Sequence, residues 1–355
     1  MDDAKPASLL GHLRGAKPQA PAWFTRALEV APERSFVTAE GASIEMLTWG
    51  EPGKPGLLFL HGNGAHADWW SFIAPFFSEH YRVAAFSWSG MGASDWRERY
   101  SLDAFLAEIE VVAQGAGLYD CAEKPVMVGH SFGAMPLLIH AARTPERLNA
   151  IVIVDPPIFS PTRERQTRPP REERPHRVYP TLEAALERFR FAPVQPCENL
   201  YIADFIARTS LKQAPMADGS GEGWTWRFDA ALWRNLRIRD MLPGAGDVRC
   251  PSALIWGGRS RLMRAEDAAH AVTLLPPGSP CIDIPEAEHH VWIDQPLAFL
   301  ASLRALMAAW PPRYGTNPDP KSRAAFPREG AAARLEHSCA ATVSEYAASE
   351  QEPHA

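Results

Sequence analysis

A chain of 355 residues, 46% hydrophobic and 22% charged, has the composition of a globular protein, and its length suits one domain of about 250 to 300 residues with appendages. A formal charge of -6 and an isoelectric point near 6.1 leave no basic footprint for nucleic acid or an anionic membrane surface. Cys121, Cys197, Cys250, Cys281 and Cys339 are odd in number, scattered and without C-x-x-C spacing, which argues against a disulfide framework and against a zinc site.

The start, "MDDAKPASLLGHLRGAKP", is acidic where a signal peptide is basic, and neither an h-region nor a run of 18 apolar residues follows. The expectation is a cytoplasmic protein with reduced thiols and no membrane partner. Residues 1–33 read as an irregular, Pro-containing leader. "RSFVTA" and "SIEMLTWG" then read as two strands joined around Gly41. Six short apolar runs follow: "GLLFLHG", "YRVAAFSWS", "PVMVGHS", "AIVIVDP", "SALIWGG" and "PCIDIPE". Runs apolar on both sides are what parallel strands covered by helices require. Between and after them, "HADWWSFIAPFFSEH", "SLDAFLAEIEVVAQGAG", "FGAMPLLIHAARTP" and "PLAFLASLRALMAAW" read as helices. This alternation predicts an α/β fold with a doubly wound, mostly parallel sheet whose strand carboxyl ends carry the site.

The alternation predicts a core over 34–155 and 249–312, interrupted by residues 156–248. That insertion holds the helical pieces "TLEAALERFRF" and "NLYIADFIARTSLK" but no strong strand, and reads as a helical lid. In its "GWTWRF", Trp224, Trp226 and Phe228 alternate, as one aromatic face requires. The cluster "TRERQTRPPREERPHR" reads as a solvated loop, because acids and prolines interrupt its positive charge. Residues 313–355 are polar and poor in aliphatics, and are expected to form a poorly ordered tail.

Chemistry concentrates at strand ends. "KPVMVGHSFGAMPLLIHAA" passes from strand to helix across Gly129-His130-Ser131-Phe132-Gly133. The flanking glycines let Ser131 adopt a strained turn beside a helix N-terminus, as a nucleophile, unless it is only a hydroxyl in a small-residue turn. "LFLHGNGAHADWW" closes another strand with a turn whose N–H groups can face the pocket. "FSWSGMGASDW" follows the next strand, and "IPEAEHHVWIDQP" places His289 and His290 after the last. Trp69 and Trp70 are candidates for an apolar pocket wall or for core packing; being adjacent, they cannot both face a pocket.

In these motifs and their order the sequence resembles the α/β-hydrolase superfamily over roughly residues 34–310. The resemblance implies an eight-stranded sheet with a lid after the sixth strand. It implies Ser131 as nucleophile, the N–H groups of Asn63 and Phe132 as oxyanion hole, and His289 as base, since Pro296 stands seven residues later as the family commonly has it. The family's usual aspartate after the seventh strand is missing: Gly257-Gly258-Arg259-Ser260 stands there. Asp155, ending "IVIVD", is the expected acid, as in some branches of the superfamily; Glu266 or Asp267, or a dyad assisted by Ser260, are the alternatives. The implied activity is hydrolysis of an ester of small to medium apolar character, with no metal and no organic cofactor. The other readings are a C–C bond hydrolase, a lactonase or a thioesterase, and, of another class, a non-catalytic binding protein. Epoxide hydrolases of this fold attack with an aspartate, which Ser131 is not.

Overall fold

The computed structural model describes residues 8–163, 176–236 and 247–314. Most of the basic run at 162–177 and the expected tail beyond 314 lie outside the described residues. β1 (Glu33–Ala39) and β2 (Ala42–Trp49) pair antiparallel through Glu40 and Gly41, whose φ values are 46° and 77°. Two positive φ values make the tight turn whose twist matches that of the flanking strands.

Then come β3 (Gly56–Leu60), β4 (Arg82–Phe86), β5 (Val126–His130), β6 (Ala150–Val154), β7 (Leu211–Pro215), β8 (Glu222–Trp226), β9 (Ser252–Gly257) and β10 (Cys281–Ile284). Eight strands form one sheet in the order β1-β2-β4-β3-β5-β6-β9-β10. β2 runs antiparallel to β4, and every neighbouring pair from β4 to β10 is parallel. Alternate side chains feed opposite layers: Leu57, Phe59, Val126, Val128, Val152 and Val154 enter one, Leu58, Leu60, Met127, Ile151 and Ile153 the other. That two-sided burial is why the strands read as uninterrupted apolar runs.

The helices are α1 (Ala22–Glu29), α2 (Leu102–Gly115), α3 (Ala134–Arg143), α4 (Leu182–Leu186), α5 (Leu200–Thr209), α6 (Leu232–Asn235), α7 (Ala265–Thr273), α8 (Val291–Asp294) and α9 (Pro296–Ala309). Ser101 caps α2 by accepting the Ala104 N–H at 3.2 Å, and Phe105, Ile109 and Val112 form its buried stripe. α2, α3 and α7 supply one layer, and α9 supplies Phe299, Leu300 and Leu303 to the other. Among the described residues no helix is long and apolar enough to cross a membrane.

Three elements differ from expectation. "HADWWSFIAPFFSEH" forms two short 3₁₀ turns, Ala67–Trp70 and Ala74–Phe76, instead of a helix. Pro75 has no N–H to give to an i−4 carbonyl, and Trp70 and Phe72 are drawn wholly into the core. The leader is not irregular throughout: α1 begins after Pro21 and buries Phe24 edge-on against Tyr201 and Phe205 of α5. The insertion contains a hairpin as well as helices, β7 pairing with β8 around Asp218-Gly219-Ser220-Gly221. Gly219 and Gly221 supply the positive φ values, 73° and 132°, that its turn needs.

Candidate active site

The end of β5 is built for a tight approach. A Cβ on Gly129 would lie 2.8 Å from the Gly133 carbonyl oxygen, and one on Gly133 would lie 2.5 Å from that of His61. Ser131 between them takes φ 51° and opens the 3₁₀ turn that leads into α3. An L-residue is strained there, and the strain lifts its side chain out of the strand.

His289 comes from the loop between β10 and α8. Its Nε2 lies 3.0 Å from Ser131 Oγ, and its Nδ1 lies 2.7 Å from Asp155 Oδ1. A carboxylate only accepts, so Nδ1 carries the proton and Nε2 accepts from the serine hydroxyl. All three side chains are buried.

Asp155 follows β6 with φ 43° and has two further donors. The Gly257 N–H reaches Oδ2 at 3.0 Å, and the Ser260 hydroxyl reaches Oδ1 at 2.8 Å. Ser260 thus occupies the position of the family's usual aspartate, and its hydroxyl donates to Asp155. Asp267 is held elsewhere, accepting from the Ser160 N–H at 2.8 Å and pairing with Arg163 at 2.6 Å, while Glu266 faces Arg264 at the surface.

The turn after β3 presses against this centre: a Cβ on Gly62 would lie 3.0 Å from Ser131 Cβ, and Asn63 follows at once. His61 locks that turn to the loop after β4. Its Nδ1–H donates to the Gly62 carbonyl at 2.7 Å and its Nε2 accepts the Trp88 N–H at 3.1 Å. Burial pushes its imidazole down to about 3, so it stays neutral. The Phe132 ring is fixed among Trp88, Phe105 and Trp233, the last from α6 at 5.6 Å between centroids. Of the two adjacent tryptophans, Trp70 stacks on Trp292 at 4.1 Å and on Phe59 at 4.7 Å and belongs to the core. Trp69 lies edge-on to Phe191 and His290, nearer the histidine loop.

The insertion holds that loop through residues with no motif to mark them. Gln195 accepts the His290 N–H at 3.0 Å and donates to Asp294 Oδ2 at 2.9 Å. Asn199 donates to the carbonyls of Ile293 and Asp294 at 2.8 and 3.0 Å. Asp294 Oδ2 also accepts the Glu288 N–H at 2.8 Å. Burial, with the charges of Glu288 and Glu198 adding to it, pushes the Asp294 carboxyl up to about 7. A carboxyl raised on folding favours its protonated form. Its stabilisation is full below its ordinary value of about 4 and is lost as pH rises through about 7. Asp294→Asn is therefore expected to flatten the melting temperature's pH dependence over that interval and to be the more stable chain above it. Identical pH profiles for the two proteins would remove the assignment.

A sequence model described as "Alpha/beta hydrolase family" matches residues 57–303. Epoxide hydrolase 4 of Mus musculus is 31% identical over 120 residues, which cover 33% of this chain and 32% of that protein. That match spans about a third of the relative's length. Esterase Rv0045c of Mycobacterium tuberculosis is 23% identical over 286 residues, covering 76% of this chain and 87% of the esterase. Among solved structures, a thioesterase domain from the curacin biosynthetic pathway superposes with a TM-score of 0.62 at 22% identity, covering 77% of this chain and 99% of that domain.

Proposed function

We propose, from the premise that the chain belongs to the alpha/beta hydrolase family, that it is a serine hydrolase cleaving an ester of small to medium apolar character. The observation that carries this reading is the hydrogen-bonded chain from Ser131 through His289 to Asp155, at 3.0 and 2.7 Å. His289 Nε2 takes the hydroxyl proton as Ser131 Oγ attacks the carbonyl carbon, and Asp155 holds the imidazolium that results. The N–H groups of Phe132 and Asn63 receive the oxyanion. His289 returns the proton to the leaving alcohol, then activates the water that releases the acid and restores Ser131. In this reading residues 156–248 act as a lid, which the packing of Trp233 against Phe132 supports. Trp69 is the pocket-wall candidate.

Epoxide opening is not proposed, because the resemblance assigns that chemistry to an aspartate nucleophile. A fluorophosphonate probe is expected to label Ser131, with labelling lost in Ser131→Ala and strongly slowed in His289→Ala. An unreactive Ser131 in folded protein would leave the binding-protein reading standing. Esters, lactones, acyl-thioesters and dienoic diketones assayed side by side distinguish the bond that is cleaved.

A further inference from the structure

Around the base of the proposed reaction, His289, stand two further buried histidines that the reaction does not use. His130, His289 and His290 each offer a ring nitrogen, the three nitrogens lie within 4.8 Å of one another, and all three residues are buried. His130 and His289 are 159 residues apart in sequence, so only the fold brings them together.

Hydrogen bonds sort the nitrogens of these rings. His289 gives its Nδ1–H to Asp155, and His130 gives its Nε2–H to the His289 carbonyl at 3.1 Å. A metal-ligating histidine has this arrangement, with one nitrogen bonded to an outer acceptor and the other presenting a lone pair. His130 Nδ1 has no hydrogen-bond partner among the described residues. It lies against the turn beside Ser131: a Cβ on Gly62 would stand 2.8 Å from it and 3.0 Å from Ser131 Cβ. Neither ring nitrogen of His290 meets hydrogen-bond geometry, although the Ala192 carbonyl is close enough to act on that ring. Buried nitrogens left in this way are uncommon.

We propose that His130, His289 and His290 bind a transition-metal ion of borderline softness, with Zn²⁺ as the reference ion, and that the bound ion takes His289 Nε2 from Ser131 and stops turnover. Three imidazoles without thiolate or carboxylate suit Zn²⁺ or Cu²⁺ and not Ca²⁺ or Mg²⁺. Zinc–nitrogen bonds of about 2.0–2.1 Å set tetrahedral ligands roughly 3.4 Å apart, so nitrogens now up to 4.8 Å apart close by at most about 1.4 Å on binding. Loss of turnover rests on the serine-hydrolase reading; metal binding does not.

The test uses the tag-free full chain. Calorimetry is expected to find one Zn²⁺ per chain, weakened at least ~10-fold in His290→Phe and unchanged in Ser131→Ala and in Cys281→Ser, which removes an exposed thiol. Zn²⁺ is expected to block fluorophosphonate labelling in the native chain but not in His290→Phe. Should that variant fold poorly, Co²⁺ added to the native chain is expected to give the visible absorption of a tetrahedral nitrogen-ligated ion. No stoichiometric binding, equal binding in folded His290→Phe, or no tetrahedral Co²⁺ spectrum overturns the site. Binding that leaves labelling untouched overturns the inhibition. If Ser131 goes unlabelled without metal, the hydrolase reading fails, and the Co²⁺ spectrum still decides the site.

Discussion

Asp155→Asn is expected to lower kcat by about 10⁴-fold while the chain stays folded, because the amide leaves the histidine in the wrong tautomer. The carboxylate meets only donors: His289 Nδ1–H and the Ser260 hydroxyl on Oδ1, the Gly257 N–H on Oδ2. An asparagine must turn its NH₂ toward one of these sides. Turned toward His289, it forces Nδ1 to accept and Nε2 to carry the proton, so that nitrogen can no longer take one from Ser131. Turned toward Gly257, it sets donor against donor in a buried place, at a cost of about 1–3 kcal/mol, and it still lacks the charge that holds the imidazolium. The backbone tolerates the change, since φ 43° lies in the left-handed region that asparagine adopts readily. Steady-state kinetics with circular dichroism decide the matter: a folded variant within about tenfold of the native kcat, or about 1.4 kcal/mol of barrier, would remove Asp155 from the mechanism.

What was legible in the sequence follows from how locally each feature is determined. The strands of the main sheet could be read because helices cover both faces, so Leu57 to Leu60 and Ile151 to Val154 are apolar on both sides. Ser131, Asp155 and His289 could be named as candidates because the motifs around them and their order resemble those of α/β hydrolases, and each stands past the carboxyl end of a strand, where a parallel sheet gathers its loops. The part played by Ser260 was less accessible: as the residue in the aspartate's usual place it looked like a deficit, whereas the fold turns its hydroxyl onto the carboxylate of the neighbouring strand. Gln195 and Asn199 carried no signal at all. Their hydrogen bonds to the histidine loop join residues 94 to 99 positions apart, and nothing in "PVQPCENL" marks a partner so distant. The tryptophan-bearing strand β8 showed its alternation, but its pairing with β7 depended on a turn hidden in a polar loop.

The second large effect separates the chemistry of Ser131 from the strain on its backbone. Ser131→Ala and Ser131→Gly are both expected to reduce kcat by about 10⁶-fold, since neither retains an atom that can attack. Their stabilities are expected to differ. At φ 51° alanine keeps a Cβ that clashes with the following carbonyl, at about 1–2 kcal/mol, whereas glycine occupies that region freely and loses only part of the gain to its more disordered unfolded chain. Both lose the bond to His289 Nε2 equally, so it cancels in the comparison. Glycine should therefore be the more stable variant by up to about 1 kcal/mol, or ~2–4 °C in melting temperature for a domain of this size. If alanine melts higher, the backbone at Ser131 is not strained in solution; if either variant turns over at the native rate, the nucleophile lies elsewhere. In the proposed reaction the strain has a use: an extended Ser131 would continue β5 and point into one of the two side-chain layers, whereas the left-handed turn sets Oγ against His289 Nε2 and beside the Gly62 turn.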